Sequence, residues 1–250
     1  IVLGAGTFGT AIANALSVNT QNTVILFSRN DNKVHEINDF HTNKSCFPNK
    51  RLSENLNASS NDNIMKKADV IFIAIPSNSI IQSLSKHKDN FNPKTLFVNL
   101  SKGFLKGGKI IVEELKKILN SNNIVSLKGP SFAVEVMEHA DTLLTLGHSN
   151  KSQYDIVSTI INNTSLYVDS TKDIKGVEIL SVLKNVYALV LGIVDAKFNS
   201  PNTRFMILTK AFSEIRVFLS ILGGKDDTLF LACGFGDLCM TSLHDLSRNR

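Results

Sequence analysis

The sequence predicts an α/β protein in which a domain with a mostly parallel sheet comes first and an all-α domain follows. Up to about residue 170, short apolar runs of strand length alternate with stretches of helical length. Beyond residue 172, every apolar run has helical length. The first strand also leads directly into a glycine-rich turn and then into an alanine-rich helix. We therefore expect one domain over residues 1–172 and a second, helical domain over residues 173–250.

The composition is that of an ordinary globular protein, with 43% hydrophobic and 20% charged residues. The net charge of +5 would suit either nucleic acid or an anionic small molecule. However, the lysines are spread along the chain among asparagines and form no basic stripe with interleaved aromatic residues. We therefore expect a small anionic ligand and no nucleic-acid partner.

Several classes of protein are disfavoured by simple counts. The most apolar stretch, residues 178–196, is interrupted by Lys184, Asn185 and Asp195, so we expect no integral membrane segment. The three cysteines are odd in number and have no metal-ligand spacing, and the chain does not open on a signal peptide, which predicts a cytoplasmic protein. The six histidines are scattered, so we expect no metal site. Since the chain opens with Ile1 inside a motif and ends without a helix stop, we expect further residues on both sides.

The opening of the chain carries a dinucleotide-binding pattern. The apolar strand at residues 1–3 runs into glycines at Gly4, Gly6 and Gly9, and a helix follows. In this pattern the first glycine permits the tight turn, the second lets the backbone approach a pyrophosphate, and the third allows close packing of helix and strand. The helix start offers free N–H groups and a positive dipole end to the phosphates. The sequence thus predicts a Rossmann-type fold that binds NAD or NADP.

The second strand, residues 23–27, bears on the choice between these cofactors. At its end an NAD-preferring site usually has Asp or Glu to hold the ribose hydroxyls. This chain has Ser28 and Arg29 instead. A guanidinium and a hydroxyl suit a 2′-phosphate, so NADP is favoured. Alternatively, Arg29 stacks on the adenine and accepts either cofactor.

The remaining elements of the first domain continue the alternation. Residues 30–60 are polar and predict a helix followed by a long loop. Ligands of an open parallel sheet bind beyond the carboxyl ends of its strands, and Lys102 follows one such end; a solvated loop lysine is the alternative. Further strands are predicted at 70–75, 95–100, 124–127, 142–146 and 166–169, and helices near 80–84, at 109–119 and at 152–162.

The helical domain is organised around residues 178–196. This stretch is apolar on most sides, which is typical of a buried helix, yet one face carries Ser181, Lys184, Asn185 and Asp195 at helical spacing. Burial lowers the pKa of an ammonium group unless a partner holds its charge, and either outcome suits a proton donor. Alternatively, the lysine stem is buried and its head reaches water.

The rest of this domain reads as helix and turn. Helices are predicted over 174–197, 203–222 and 226–232, with Asn202 as the N-cap of the second. Gly234 and Gly236 flank a turn that would present Asp237. The final residues, 247–250, read Ser-Arg-Asn-Arg and offer hydrogen-bond donors to an anion.

Six motifs in order identify a family. The chain resembles NAD(P)-dependent glycerol-3-phosphate dehydrogenase, most closely the bacterial type. The resemblance covers essentially the whole chain. The motifs are Gly4-Ala5-Gly6-Thr7-Phe8-Gly9, Ser101-Lys102-Gly103, Gly129-Pro130-Ser131-Phe132-Ala133, Leu183-Lys184-Asn185, Gly236-Asp237-Leu238 and Ser247-Arg248-Asn249-Arg250.

The resemblance implies reversible conversion of sn-glycerol 3-phosphate to dihydroxyacetone phosphate, a homodimer, and a role in phospholipid synthesis. Lys184 falls on the catalytic lysine of the family, Asp237 would hold that lysine and the substrate hydroxyl, and Lys102 would contact both cofactor and substrate. The implied cofactor-binding residues are Gly4, Gly6, Thr7, Phe8, Gly9, Arg29, Lys102, Ala133 and Arg248. The implied substrate-binding residues are Lys102, Gly129, Ser131, Lys184, Asp237, Ser247, Arg248 and Asn249.

Two rival interpretations remain at this point. A β-hydroxyacid dehydrogenase has a similar architecture and a lysine on the corresponding helix, but it takes a carboxylate substrate; the turn at Asp237 and residues 247–250 argue against it. A non-catalytic NAD(P)-sensing module is expected to lack Lys184 or Asp237, and this chain has both.

Overall fold

The structure, a computed structural model, describes residues 1–198 and 200–243. In that part of the chain, one eight-stranded sheet is followed by helices, which confirms the predicted fold class. The strands are β1 (Val2–Leu3), β2 (Val24–Phe27), β3 (Leu56–Ser59), β4 (Val70–Ile73), β5 (Leu96–Asn99), β6 (Ile124–Lys128), β7 (Thr142–Gly147) and β8 (Leu166–Thr171). The helices are α1 (Thr7–Ser17), α2 (Asp31–Phe40), α3 (Ser77–His87), α4 (Ile111–Leu119), α5 (Ala133–Met137), α6 (Lys151–Ile161), α7 (Ile174–Phe198), α8 (Pro201–Ile221) and α9 (Asp237–Leu243).

The sheet has the strand order β3-β2-β1-β4-β5-β6-β7-β8. Strands β1 to β6 are parallel, β7 runs antiparallel to β6, and β8 is parallel to β7. The order reverses between β1 and β4, because the chain winds outward to β2 and β3 and then returns. A crevice opens at such a switch point, beyond the carboxyl ends of the strands.

Both faces of the sheet are covered by helices. Every residue of β4, β5 and β6 is buried. β4 is a continuous apolar run, as is typical of a strand covered on both faces, whereas β5 and β6 also bury the polar residues Asn99, Ser126 and Lys128. One hydrophobic cluster joins one face of the sheet to α1, α5 and α6, and a second cluster joins the other face to α3 and α4. The sheet is therefore a rigid platform on which the residues after β1, β5 and β6 are held.

One strand was not predicted. β3 lies within the long loop expected in residues 30–60, and it pairs in parallel with β2. Its sequence, Leu-Asn-Ala-Ser, is short and only half apolar. The side chain of Asn38 completes its pairing by donating to the Ala58 carbonyl at 3.1 Å and accepting from the Ala58 N–H at 2.7 Å. Tertiary contacts thus stabilise a strand that its own composition does not favour.

The burial of α7 corrects the sequence interpretation in part. Its first turns are buried against β6 and β7, as expected. However, four apolar residues of its second half are 42–62% exposed: Val186, Leu189, Val190 and Ile193. By length and composition alone α7 could cross a membrane. In the structure its first half is a core helix of the protein, packed against the sheet, α8 and α9.

The boundaries after α7 also differ from those predicted. The N-cap of α8 is Ser200, not Asn202; the Ser200 hydroxyl accepts from the Thr203 N–H at 3.4 Å, and Pro201 takes the first helical position. The helix expected over 226–232 is replaced by a 3-10 turn at Asp226–Phe230 and a single π turn at Ala232–Gly236. The π turn leads directly into α9 and sets the position of Asp237.

Candidate active site

The glycine-rich turn after β1 is shaped by its glycines. Gly4 has φ +116°, and an added Cβ there would lie 2.7 Å from the Ala74 carbonyl oxygen. A Cβ on Gly9 would lie 2.0 Å from the Gly4 carbonyl oxygen, whereas one on Gly6 would meet nothing within 4 Å. The first and third glycines are therefore required by the turn itself, and the second leaves open space at the start of α1. No side chain caps this helix start, so its N–H groups are available to a phosphate.

A cleft of about 890 Å³ opens beside this turn. Its position beside the uncapped start of α1 fits the pyrophosphate of NAD or NADP. Of the residues expected at the site, Gly6, Thr7, Phe8, Lys102, Ser131 and Ala133 line it. The sheet thus brings three distant segments to one opening, those that follow β1, β5 and β6.

Three charged side chains meet at the inner side of this opening. Asp237 is fully buried and accepts from two lysines: Lys184 Nζ lies 2.5 Å from Oδ1, and Lys102 Nζ lies 2.8 Å from Oδ2. The side chain of Lys184 is 7% exposed and that of Lys102 is 27% exposed. We call Lys102, Lys184 and Asp237 the cleft cluster. It unites the three residues for which catalytic roles were expected.

The electrostatics of the cleft cluster suit an anion and a proton donor. Two ammonium groups share one carboxylate, which leaves an excess positive charge beside the cleft. Burial and, after it, the charge of Lys102 lower the pKa of Lys184, Asp237 opposes both, and the resulting pKa is about 8. A lysine with such a pKa can give and take a proton near neutral pH.

Thr241 is a member of this site that the sequence interpretation missed. Lys184 Nζ donates to its hydroxyl at 2.7 Å, and that hydroxyl lies 3.3 Å from Asp237 Oδ1. Asp237 and Thr241 are four residues apart on α9 and therefore share a face. That spacing was the available signal. Together they hold the Lys184 ammonium from one side.

The turn after β6 contributes backbone and hydroxyl groups. The Gly129 carbonyl accepts from Lys102 Nζ at 3.3 Å and from the Ser131 hydroxyl at 3.2 Å. Gly129 itself is buried. Of the two substrate positions expected here, Ser131 therefore faces the cleft, and Gly129 acts through its carbonyl on Lys102.

The basic residues beyond β2 lie at the edge of the site. Arg29 is exposed and is not part of the cleft lining. The Gly4 N–H donates to the Phe27 carbonyl at 3.2 Å, which holds the end of β2 beside the glycine turn. Lys33, which the sequence interpretation missed, reaches the same turn, with Nζ 3.1 Å from the Ala5 carbonyl oxygen.

Some expected residues are not located by the structure. Ser247, Arg248 and Asn249 lie outside the described residues. Within residues 1–198 and 200–243, no group of three or more His, Cys, Asp or Glu side chains is placed to hold a metal ion.

Family models match both parts of the chain. Residues 1–154 match the N-terminal model of NAD-dependent glycerol-3-phosphate dehydrogenase, and residues 173–250 match the C-terminal model.

Individual proteins give the same result. The chain is 34% identical to a glycerol-3-phosphate dehydrogenase (NAD(P)+) of Neorickettsia sennetsu, over 100% of the chain and 75% of that protein. It is 33% identical to the Bacillus subtilis protein of the same name, over 99% of the chain and 73% of that protein. The crystal structure of glycerol-3-phosphate dehydrogenase from Coxiella burnetii is similar with a TM-score of 0.90 and 28% identity, over 99% of this chain and 76% of that one.

Proposed function

The chain belongs to the NAD-dependent glycerol-3-phosphate dehydrogenase family, and we propose that it interconverts sn-glycerol 3-phosphate and dihydroxyacetone phosphate with NAD(P). The observation that carries this proposal is the cleft cluster beside the glycine-rich turn. Lys184, a buried lysine of lowered pKa, shares the Asp237 carboxylate with Lys102, which lines the cleft. Ketone reduction requires these features together.

In this proposal Lys184 moves the proton. The cofactor, when bound, supplies the hydride to the carbonyl carbon. Lys184 Nζ donates its proton to the carbonyl oxygen, which becomes the secondary hydroxyl, and in the reverse direction Nζ takes that proton back. Asp237 and Thr241 hold Nζ in place and, by sharing its charge, let it cycle between the two protonation states.

The phosphate of the proposed substrate requires cationic side chains that bind it at a distance from the reacting carbon. Lys102 is the more exposed lysine of the cleft cluster and lines the cleft beside Ser131. We propose that Lys102 contacts both cofactor and substrate, and that Ser131 and the turn at Gly129 border the substrate. By the family resemblance, Arg248 is the main phosphate ligand, with Ser247 and Asn249 beside it.

The deciding experiment is oxidation of NADPH and NADH by the protein in the presence of dihydroxyacetone phosphate. We expect turnover that falls about a thousandfold in Lys184→Met, with the Kd for NADPH within a few-fold of its original value, because general acid catalysis contributes about 10²- to 10⁴-fold. Lys117→Met removes an exposed lysine paired with Glu114 and is the matched control.

Two results would contradict the proposal. Unchanged turnover in Lys184→Met would remove Lys184 from the chemistry. NADPH binding without any turnover of dihydroxyacetone phosphate would lead to a panel of 3-hydroxy acids. Turnover of one of these acids would identify a β-hydroxyacid dehydrogenase, and none at all would favour a sensing module.

For the cofactor, we propose NADP over NAD, with Arg29 as the residue that reads the 2′-phosphate. Arg29 follows β2 where no carboxylate is present to hold the ribose hydroxyls, and Lys33 adds a second cation near the same turn. We expect Arg29→Ala to weaken NADPH binding about tenfold and NADH binding less than twofold, since one charge-assisted contact is lost. Arg51→Ala, at another exposed arginine, is the control. Equal losses for both cofactors would show that Arg29 does not discriminate.

The wider setting of the enzyme follows from the family resemblance. We propose a domain boundary between residues 172 and 173, supported by the separate family models that match on either side. We further propose a cytoplasmic homodimer that supplies glycerol 3-phosphate for phospholipid synthesis.

A further inference from the structure

A second buried ionic cluster lies beneath the cleft. Lys128 and Glu178 are 1% and 2% exposed, and their charged atoms, Nζ and Oε1, lie 3.2 Å apart. The same Glu178 oxygen accepts from Asn99 Nδ2 at 2.8 Å and from the Ser126 hydroxyl, and both of these residues are fully buried. Lys128 Nζ also donates to the Asn99 carbonyl at 2.7 Å. We call Asn99, Ser126, Lys128 and Glu178 the closed cluster.

Each member of the closed cluster lies next to a segment that carries a cleft residue. Glu178 is on α7, six residues before Lys184. Asn99 ends β5, and its Oδ1 accepts from the Ser101 N–H at 3.1 Å, directly before Lys102. Lys128 ends β6 and precedes Gly129. The closed cluster therefore joins the same three segments that meet in the cleft.

An ion pair in this place is not the most stable way to pack the interface. Burying two charges is expensive, and apolar side chains of similar volume often stabilise a protein as well or better. The cost is visible here, because burial lowers the pKa of Lys128 while Glu178 opposes that shift. An ion pair does, however, fix the relative position of the elements that carry it, since its hydrogen bonds are satisfied in one arrangement only.

We propose that Glu178 and Lys128 are positioning residues that hold α7 in one register against the carboxyl ends of β5 and β6. In that register Lys184 and Lys102 reach the two oxygens of Asp237. This inference rests on the proposed function. Neither Glu178 nor Lys128 lines the cleft, so both act through the residues that follow them.

The size of the expected effect follows from the geometry of the cleft. Lys184 Nζ must lie within hydrogen-bond reach of both Asp237 and the substrate oxygen. A misplacement of about 1 Å costs a reaction about a hundredfold. Glu178→Asp keeps the charge but shortens the side chain by one methylene, so α7 must shift or the contact to Lys128 is lost.

The experiment compares Glu178→Asp with Glu178→Gln and with Val157→Ala, a core truncation on α6 at a residue that does not line the cleft. All are assayed well below their melting temperatures. We expect kcat to fall at least about tenfold in both Glu178 variants, with KM for NADPH within twofold. Val157→Ala should lower the melting temperature but leave kcat within twofold. The double variant Lys128→Met/Glu178→Gln removes both charges at nearly constant volume, so it is tested in case a single variant does not fold. Its kcat should also fall.

A second readout does not depend on turnover. Lys184 faces Lys102 from the end of β5 and Asp237 with Thr241 from α9, so any shift of α7 changes its surroundings. Titration of the Lys184 side chain by NMR should therefore move in Glu178→Asp and stay unchanged in Val157→Ala. Unchanged kcat and unchanged titration in folded Glu178 variants would overturn the positioning role. A wild-type protein without turnover, but with the titration shift, would contradict the proposed function and leave the positioning of Lys184 intact.

Discussion

The cleft cluster and the closed cluster both pair lysines with a carboxylate, but they differ in charge balance and in exposure to solvent. The cleft cluster has two lysines for one carboxylate, and Lys102 keeps 27% of its side chain exposed. The closed cluster has one lysine for one carboxylate, and these side chains are 0% and 3% exposed. Helix α7 carries both Glu178 of the closed cluster and Lys184 of the cleft cluster, six residues apart.

Under the proposed function, the difference implies that burial alone does not distinguish a catalytic lysine from a structural one. Lys128 is more deeply buried than Lys184, and burial lowers the pKa of both. Lys184 differs from Lys128 in two respects: its cluster reaches the cleft, and its cluster carries more positive than negative charge. An unbalanced cation beside a cleft can bind an anion and exchange a proton, whereas a balanced pair sealed from solvent can only hold elements together.

The largest expected effect comes from breaking the cleft cluster at its shared carboxylate. In Asp237→Asn we expect kcat to fall about a thousandfold, because Lys184 and Lys102 lose the group that orients them and the group that raises the pKa of Lys184. Steady-state kinetics with dihydroxyacetone phosphate measures this change. Asp226→Asn, at a carboxylate paired with Arg216 on the surface, is the control. A loss of less than tenfold would mean that Asp237 is dispensable.

The next largest expected effect is a loss of stability when the closed cluster is broken. Lys128→Met leaves the Glu178 carboxylate buried without its cation, and we expect the free energy of unfolding to fall by about 3 kcal/mol. The double variant Lys128→Met/Glu178→Gln should recover a large part of that loss, because no uncompensated charge remains. Denaturant unfolding of both variants, with Lys117→Met as the exposed control, decides this. Equal stability of Lys128→Met and the unchanged protein would show that the pair is not coupled.

The smallest effect, and the one that sharpens the comparison, is on the pH profile. In the proposed reaction, Lys184 must be protonated to reduce the ketone and neutral to oxidise the alcohol, and its pKa is lowered to about 8. We therefore expect kcat for reduction to fall about tenfold per pH unit above that value, and kcat for oxidation to fall equally below it. Profiles recorded in both directions test this, with Lys117→Met expected to keep the same midpoint. A parallel pH dependence in the two directions would contradict a proton donor on Lys184.

Much of this arrangement could be predicted from the sequence. The glycine spacing after β1, the alternation of strands and helices, and the lysine on an apolar helix each follow from local patterns. The family resemblance then placed Lys102, Lys184 and Asp237 at one site, and the structure brings them into contact.

The features that the sequence did not predict depend on contacts between residues far apart in the chain. β3 exists because β2 and Asn38 satisfy its backbone, and a four-residue segment with two polar residues gives little signal of that. In the second half of α7, the exposed face could not be distinguished from the buried face by sequence, since both are apolar. Lys128 and Glu178 looked like ordinary charged residues, because their pairing spans 50 residues of sequence and depends on how α7 lies on the sheet.

The sequence separations within the cleft cluster have a consequence for folding. Asp237 meets Lys184 across 53 residues and Lys102 across 135 residues. Closing such long loops costs conformational entropy before any contact is gained, so contacts of this kind form late. Recovery of turnover during refolding should therefore follow the recovery of secondary structure, and the return of catalysis would report the last docking of α9 onto the sheet and α7.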